Sequence, residues 1–194
     1  MQPPAAGCSS PQGGGGVSSK RLAIIGAGPI GTELALCALE RGFSVAVFES
    51  GECAGAHVLA WKHVTLFSPW SMNMTTTGRR VLQALGLQLP DGDSFPTGGD
   101  FCARYLQPLA DYIRTHAACA WSANAHVLSV GRGALLKGES IGGGDLQAPK
   151  GRPQASLHRA LTPFRLLVRH GGCSGVERYH EGFDFVCDCS GCYR

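Results

Sequence analysis

The chain has 194 residues, 44% of them hydrophobic, and a formal charge of +3. That length suits one domain with a sizeable core, by the usual prior of ~100–200 residues each. The charge is too small to point to nucleic acid or an anionic membrane surface, and no apolar run approaches the ~20 residues that span a bilayer, so the expected partner is a small molecule. Residues 1–19, MQPPAAGCSSPQGGGGVSS, are Pro, Gly and Ser without an acid and read as a disordered leader. They contain no secretory apolar region. A transit peptide fits the missing acids but not the absence of Arg before Arg21, so the expected location is cytoplasmic with an organellar address as the alternative.

Residues 20–194 read as one α/β domain, and its first unit is the most informative. Leu22 to Ile25 is an apolar run suited to a buried parallel strand. Gly26 permits a tight turn, Gly28 lets backbone approach a pyrophosphate, and Gly31 lets the next helix pack close, a contact that Ala35 keeps small. Pro29 and Ile30 open that helix, whose N-terminus offers N–H groups to phosphate. Gly42 suits the helix end. Ser44 to Phe48 is a second strand, and Glu49, followed by Ser50, sits where a carboxylate accepts ribose hydroxyls. Strand, glycine turn, helix, strand and terminal acid together make a dinucleotide-binding βαβ unit.

Three ligands compete: NAD, NADP and FAD. A 2′-phosphate beside Glu49 meets like charge, and Ser50, Gly51 and Glu52 bring no Arg, which argues against NADP here. The next stretch, GAHVLAWKHVTLFSPWSMNMTTTGRR, reads as a long functional loop and not a crossover helix. An isoalloxazine needs such a wall of aromatic faces and a few polar groups, so FAD is the preferred ligand, with Trp61, His63, Ser68, Trp70 and Asn73 as its candidate contacts. The competing reading is that the tryptophans pack and the polar residues cap turns.

Farther on, Arg79 to Leu87 predicts a short helix ending at Gly86. Asp100 is the expected N-cap of a helix over Phe101 to Cys119, which Pro108 kinks or restarts as a new turn. Asn124 to Val130 reads as a strand. Residues 131–160 are Gly-, Lys- and Pro-rich and read as a loop or insertion. Phe164 to His170 predicts a strand, Glu177 to His180 its hairpin partner, and Phe183 to Cys189 a last strand of the parallel sheet. The nine cysteines are an odd number in a chain with a helical dinucleotide unit, and reduced thiols are the expectation. Cys189 to Cys192 has C-x-x-C spacing, readable as a redox dithiol or, with Cys187, as part of a zinc site, but no fourth ligand follows and no metal is expected.

The opening fingerprint with Glu49 resembles the FAD domain of two-dinucleotide-binding-domain flavoproteins, nearest to the flavin-containing monooxygenase and lysine/ornithine hydroxylase branch. The runs WKHVTLFSPWSMN and FPTGGDFCARYLQPLAD resemble a group of flavoprotein oxidoreductases beside that branch. FDFVCDCSGCY resembles the strand and Ala-Thr-Gly-like turn between the two nucleotide domains, with Cys189, Ser190 and Gly191 at the turn. The resemblance implies a Rossmann-like, three-layer FAD/NAD(P)-binding fold. It puts Val127 against the adenine ring and Gly191 in the cofactor site. It also implies a second fingerprint, for NADPH, and a final FAD-domain segment. Neither is in these residues, so the chain reads as an incomplete domain: a fragment, or a reduced relative. The expected function is the FAD-binding portion of an NAD(P)H-dependent, monooxygenase-like oxidoreductase, with NADPH only in a longer form. A non-catalytic dinucleotide-binding module and an NAD-linked dehydrogenase domain are the alternatives. No acid or base stands out as catalytic, as suits chemistry carried by a cofactor.

Overall fold

Alternation along the first two strands sorts the fold into layers. Leu22 and Ile24 of β1 (Arg21–Ile25) and Val45 and Val47 of β2 (Ser44–Phe48) enter one hydrophobic core; Ala23, Ile25, Ala46 and Phe48 enter a second. This is the period-2 geometry of a strand buried on both faces. The structure, a computed structural model, describes residues 19–133, 162–172 and 174–191. β1 and β2 pair in parallel, Leu22 beside Val45 and Ile25 beside Phe48. β7 (Phe185–Asp188) joins the other side of β1, and β3 (Cys119–Ser122) the far side of β2, giving a parallel sheet in the order β3-β2-β1-β7.

One face of that sheet carries α1 (Pro29–Glu40), α4 (Thr76–Ala84) and α6 (Gln107–Thr115), which bring Leu36, Leu39, Leu82, Leu109 and Ile113 to the first core. Each such buried side chain contributes roughly 1.5–3 kcal/mol. The opposite face is covered by an antiparallel sheet of β4 (Ala125–Gly131), β5 (Phe164–His170) and β6 (Val176–Phe183). Ala125, Leu166, Val168 and Phe183 of that sheet pack against Ala23 and Phe48. The molecule is therefore the expected α/β, Rossmann-like, three-layer arrangement, with the third layer a second sheet.

Several elements differ from expectation. The stretch read as one loop contains α2 (Ala56–Ala60), α3 (Trp70–Asn73) and the start of α4. α4 begins at Thr76 and not at Arg79, because Thr75 caps it: its hydroxyl accepts the Gly78 N–H at 3.0 Å. The helix expected from Phe101 begins at Gly98, as α5 (Gly98–Phe101). Its N-cap is Thr97, and Asp100 is the third helical residue, returning its carboxylate to the Thr97 N–H at 3.1 Å in a capping box. Pro108 stands in the first turn of a new segment, α6, the second of the two expectations. It follows a π-helical turn over Cys102–Leu106 that joins α5 to α6. A regular helix would set the proline ring against the carbonyl four residues back, and the wider turn avoids this. The helix stops at Thr115, and Cys119–Ser122 is a strand: four residues of neutral propensity hid the third parallel strand. The Glu177–His180 hairpin partner lengthens to Val176–Phe183. Of the expected leader and insertion, residues 1–18 and 134–160 lie outside the described residues, as does Cys192. Among the described residues no helix is long and apolar enough to cross a membrane.

Candidate functional site

The chain leaves β1 for β2 on one side while β7 lies on the other. The order β3-β2-β1-β7 therefore reverses direction at β1, and a crevice opens at the C-terminal strand ends there, where open parallel sheets bind ligands. A cleft of about 790 Å³ occupies that place. Its floor is the turn after β1 (Gly26, Gly28, Pro29, Ile30). One wall is the end of β2 and the following loop (Phe48 to Gly51, then Gly55 to Val58), and another is β4 from Ala125 to Val130. Asp188 to Gly191 close the β7 side.

Each part of the floor has a local cause. Gly26 has φ +90°, and its N–H continues the β1–β2 ladder to the Phe48 carbonyl at 2.8 Å. A Cβ there would meet the Cys189 carbonyl and Ser190 Cα at 3.0 Å, so a larger residue is excluded by conformation and by space. Gly31 is buried beneath the cleft, and a Cβ on it would collide with the Gly26 carbonyl. Gly28 is the N-cap of α1 in extended conformation, and a Cβ on it would meet nothing within 4 Å. That bare spot sits above a helix start with no side-chain cap and no acid in its first turn. Pro29 at the first helical position sacrifices only an N–H that has no partner within the helix. The remaining first-turn N–H groups and the positive dipole end suit a phosphate, and the open space above Gly28 gives it room.

Glu49 is only 7% exposed. Its Oε2 accepts the Ala27 N–H at 2.6 Å and its Oε1 accepts the Gly51 N–H at 2.7 Å. A carboxylate has about four acceptor positions, so capacity remains for a ligand hydroxyl. On the opposite side Asp188 accepts from Ser190 twice, from its hydroxyl at 2.6 Å and its N–H at 3.0 Å, and these bonds hold its carboxyl below the usual range. The Cys189 thiol is pushed up by burial, then by Cys187 and Asp188, the reverse of an activated redox thiol.

Of the candidate cofactor residues, Gly26, Gly28, Pro29, Ile30, Glu49, Ser50, Val127 and Gly191 all line this one cleft, and Gly31 supports its floor. Trp61, Ser68 and Asn73 are not brought to it. Trp61 packs its ring over Gly98, where a Cβ would approach within 2.7 Å of it. Asn73 donates to the Ser68 and Pro69 carbonyls at 2.8 and 2.9 Å, and the Ser68 hydroxyl donates to the Asn73 side chain at 3.0 Å. These two residues close a turn around Pro69, as the packing-and-capping alternative has it. Trp70 is buried against Phe101, with ring centres 6.0 Å apart. His57, His126 and Asp188 also line the cleft and were missed. His126 precedes Val127 and Asp188 precedes the turn at Cys189, so two of the three lie beside residues the sequence singled out. Among the described residues no three His, Cys, Asp or Glu side chains are grouped to hold a metal.

No protein-family model matches the sequence, and no curated protein matches it. Solved structures do resemble its fold. S-allyl-L-cysteine S-oxygenase from Allium sativum superposes with a TM-score of 0.59 at 16% identity, over 89% of this chain and 36% of that one. The bacillithiol disulfide reductase of Bacillus cereus gives 0.55 at 13%, over 88% and 39%. A cyclohexanone monooxygenase mutant from Rhodococcus sp. Phi1, bound to NADP+, gives 0.54 at 14%, over 89% and 26%. The Rossmann-like fold of this chain is thus shared with a disulfide reductase, an S-oxygenase and a monooxygenase. At these identities the likeness concerns the fold, and the chain spans between a quarter and two fifths of the length of those proteins. The Rossmann-like domain places its glycine turn and its acid at the same strand ends on which the sequence reading rests.

Proposed function

We propose that this chain is the FAD-binding part of a flavoprotein oxidoreductase that acts on a small molecule. The observation that carries the reading is the bare space over Gly28 at the uncapped start of α1, beside a buried acid at the end of β2. In this reading the turn from Gly26 to Gly31 holds the pyrophosphate, and Glu49 with Ser50 faces the adenosine ribose. The β4 backbone around Val127 lies along the adenine, and Gly191 borders the opposite end. When bound, the flavin supplies two-electron redox chemistry; the chain's own residues bind and orient it. NADP is disfavoured at this cleft because its 2′-phosphate would meet the Glu49 carboxylate. The choice of FAD over NAD is supported by the resemblance of the sequence runs and by the fold likeness. In this reading the flavin of the whole protein is reduced by NAD(P)H and its chemistry is monooxygenase-like.

One observation favours a plainer second reading. Trp61, Ser68 and Asn73 do not line the cleft, so the expected aromatic wall for an isoalloxazine is not among its residues. A module that holds a dinucleotide mainly by its adenosine diphosphate half, without catalysis, fits that geometry. Titration of the purified protein with FAD, NAD, NADP and ADP separates the readings. Saturable binding of one FAD per chain, with NADP excluded, is the expected result. Binding of NAD without FAD would replace the flavin reading by a dehydrogenase one. FAD bound no more tightly than ADP favours the non-catalytic module, which grips the adenosine diphosphate half alone.

A further inference from the structure

We propose that Glu49 is a positioning residue for the phosphate turn and acts on the pyrophosphate through the backbone, beyond any contact with ribose; this rests on the dinucleotide reading above. The turn hangs on the peptide groups of Ala27, which is fully buried. The Ala27 N–H goes to Glu49 Oε2 at 2.6 Å. Its carbonyl accepts from the Gly55 N–H at 2.9 Å and the Thr32 hydroxyl at 3.3 Å. The middle of the glycine turn is thus fixed from both ends by the chain that follows β2.

Glu49 is itself immobilised. Its N–H donates to the Ser122 carbonyl and its carbonyl accepts the Ala125 N–H, both at 2.8 Å, so β3 and β4 hold its backbone. The loop beyond folds tightly round the carboxylate: the Gly51 N–H reaches Oε1 at 2.7 Å, and a Cβ on Gly51 would come within 3.2 Å of that oxygen. Among the described residues no Lys, Arg or His forms an ion pair with Glu49. Its charge is met by the two backbone N–H groups and, at 3.4 Å, by the Ser50 hydroxyl on Oε1, and the bond from Ala27 is charge-assisted. The carboxylate therefore staples the phosphate turn to the loop after β2 before any ligand arrives.

The role has a counter-intuitive sign. A fixed negative charge near a pyrophosphate repels it, so an acid that served the ribose alone would weaken phosphate binding, and its neutralisation would strengthen it. If the acid shapes the turn, neutralising it weakens phosphate binding. The test uses the full chain, with ADP and inorganic pyrophosphate as probes and Glu49→Gln and Glu49→Asp as variants. Asp keeps the charge but is one methylene too short to reach both N–H groups. Both variants are expected to bind ADP and pyrophosphate more weakly by about ten-fold or more, while thermal melting confirms that each is folded. In the ligand-free wild type the Ala27 amide is expected to exchange slowly with solvent, and faster in both variants. An acid that merely stabilised the fold would lower the melting temperature and leave pyrophosphate binding of the folded protein unchanged, which would overturn the proposal. So would pyrophosphate affinity that is equal or higher in Glu49→Gln with only ADP affected. Rapid exchange of Ala27 in the wild type would overturn it without any variant. Should the wild type bind no ADP at all, the dinucleotide reading fails, and the Ala27 exchange rates still decide whether the staple exists.

Discussion

Gly28 and Gly31 are three residues apart and meet opposite constraints. A Cβ on Gly31 would strike the Gly26 carbonyl, whereas a Cβ on Gly28 would project into open space. Gly31→Ala is therefore expected to destabilise the fold by about 1–3 kcal/mol, as overpacking does, read from denaturant unfolding. Gly28→Ala is expected to leave stability within about 0.5 kcal/mol, as most unstrained surface changes do, yet to lower dinucleotide affinity by at least about ten-fold because its methyl occupies the phosphate space. Equal effects of the two variants on both measurements would contradict this division. The sequence made the division legible, since the spacing of Gly26, Gly28 and Gly31 assigns a separate task to each. It did not show that the Glu49 carboxylate is held by Ala27 and Gly51, because nothing in residue type announces a side chain's bond to a distant backbone N–H. Nor could it show that Ser68 and Asn73 bond to each other: polar residues in a loop have the composition of a ligand wall and of a capped turn alike.

Among the elements, the helices are held by polar bonds as well as by apolar contact. Tyr105, in the π-helical turn, is 1% exposed. Its hydroxyl donates to the Glu33 carboxylate of α1 and accepts the Thr75 N–H at the cap of α4 at 2.9 Å. Burial, then the Glu33 carboxylate, pushes its phenol up to about 12, so it remains a neutral donor. Gly78 of α4 leaves room for that ring, since a Cβ there would collide with the hydroxyl. Tyr105→Phe is expected to lower stability by about 0.5–1.5 kcal/mol, the usual net worth of a hydrogen bond, because Thr75 is exposed and Glu33 half-buried and both can turn to water, as read from the unfolding midpoint. At α5 the capping box predicts a pH dependence. The Thr97 hydroxyl, then its N–H, holds the Asp100 carboxyl below the usual range. A depressed carboxyl adds stability that is present above its unfolded value near pH ~4 and is lost as pH falls through the folded value. Thr97→Ala should lower stability by about 1 kcal/mol at neutral pH, and the gap from wild type should narrow below pH ~4 in thermal melts. A gap that is constant down to pH ~2 would contradict the linkage. Elements with strong periodicity or Gly and Pro punctuation were legible, as α1, β1 and β2 show. β3 was not, because CAWS has no alternation of its own and is a strand only through its pairing with Val45 to Phe48. The π turn was equally hidden, since Pro108 signals a break without saying how the chain accommodates it.

For the whole molecule, the first βαβ unit sufficed to foresee a parallel sheet. It did not reveal that the third layer is an antiparallel sheet, since β4 reads as any half-buried strand until its partners are known. That second sheet matters for the site because β4 supplies one wall of the cleft, while the glycine turn and the chain after β2 supply the floor and another. The order β3-β2-β1-β7 puts the C-terminal ends of the paired strands β1 and β7 beneath the same cleft, so fold and site share one cause: the strand order reverses at β1. A crystal structure of the protein soaked or co-crystallised with FAD tests this most directly. The account predicts the two phosphates over Gly28 at the start of α1 and the adenosine ribose hydroxyls within hydrogen-bond distance of Glu49. A nucleotide seated elsewhere, or a cleft that stays empty at saturating flavin, would contradict it.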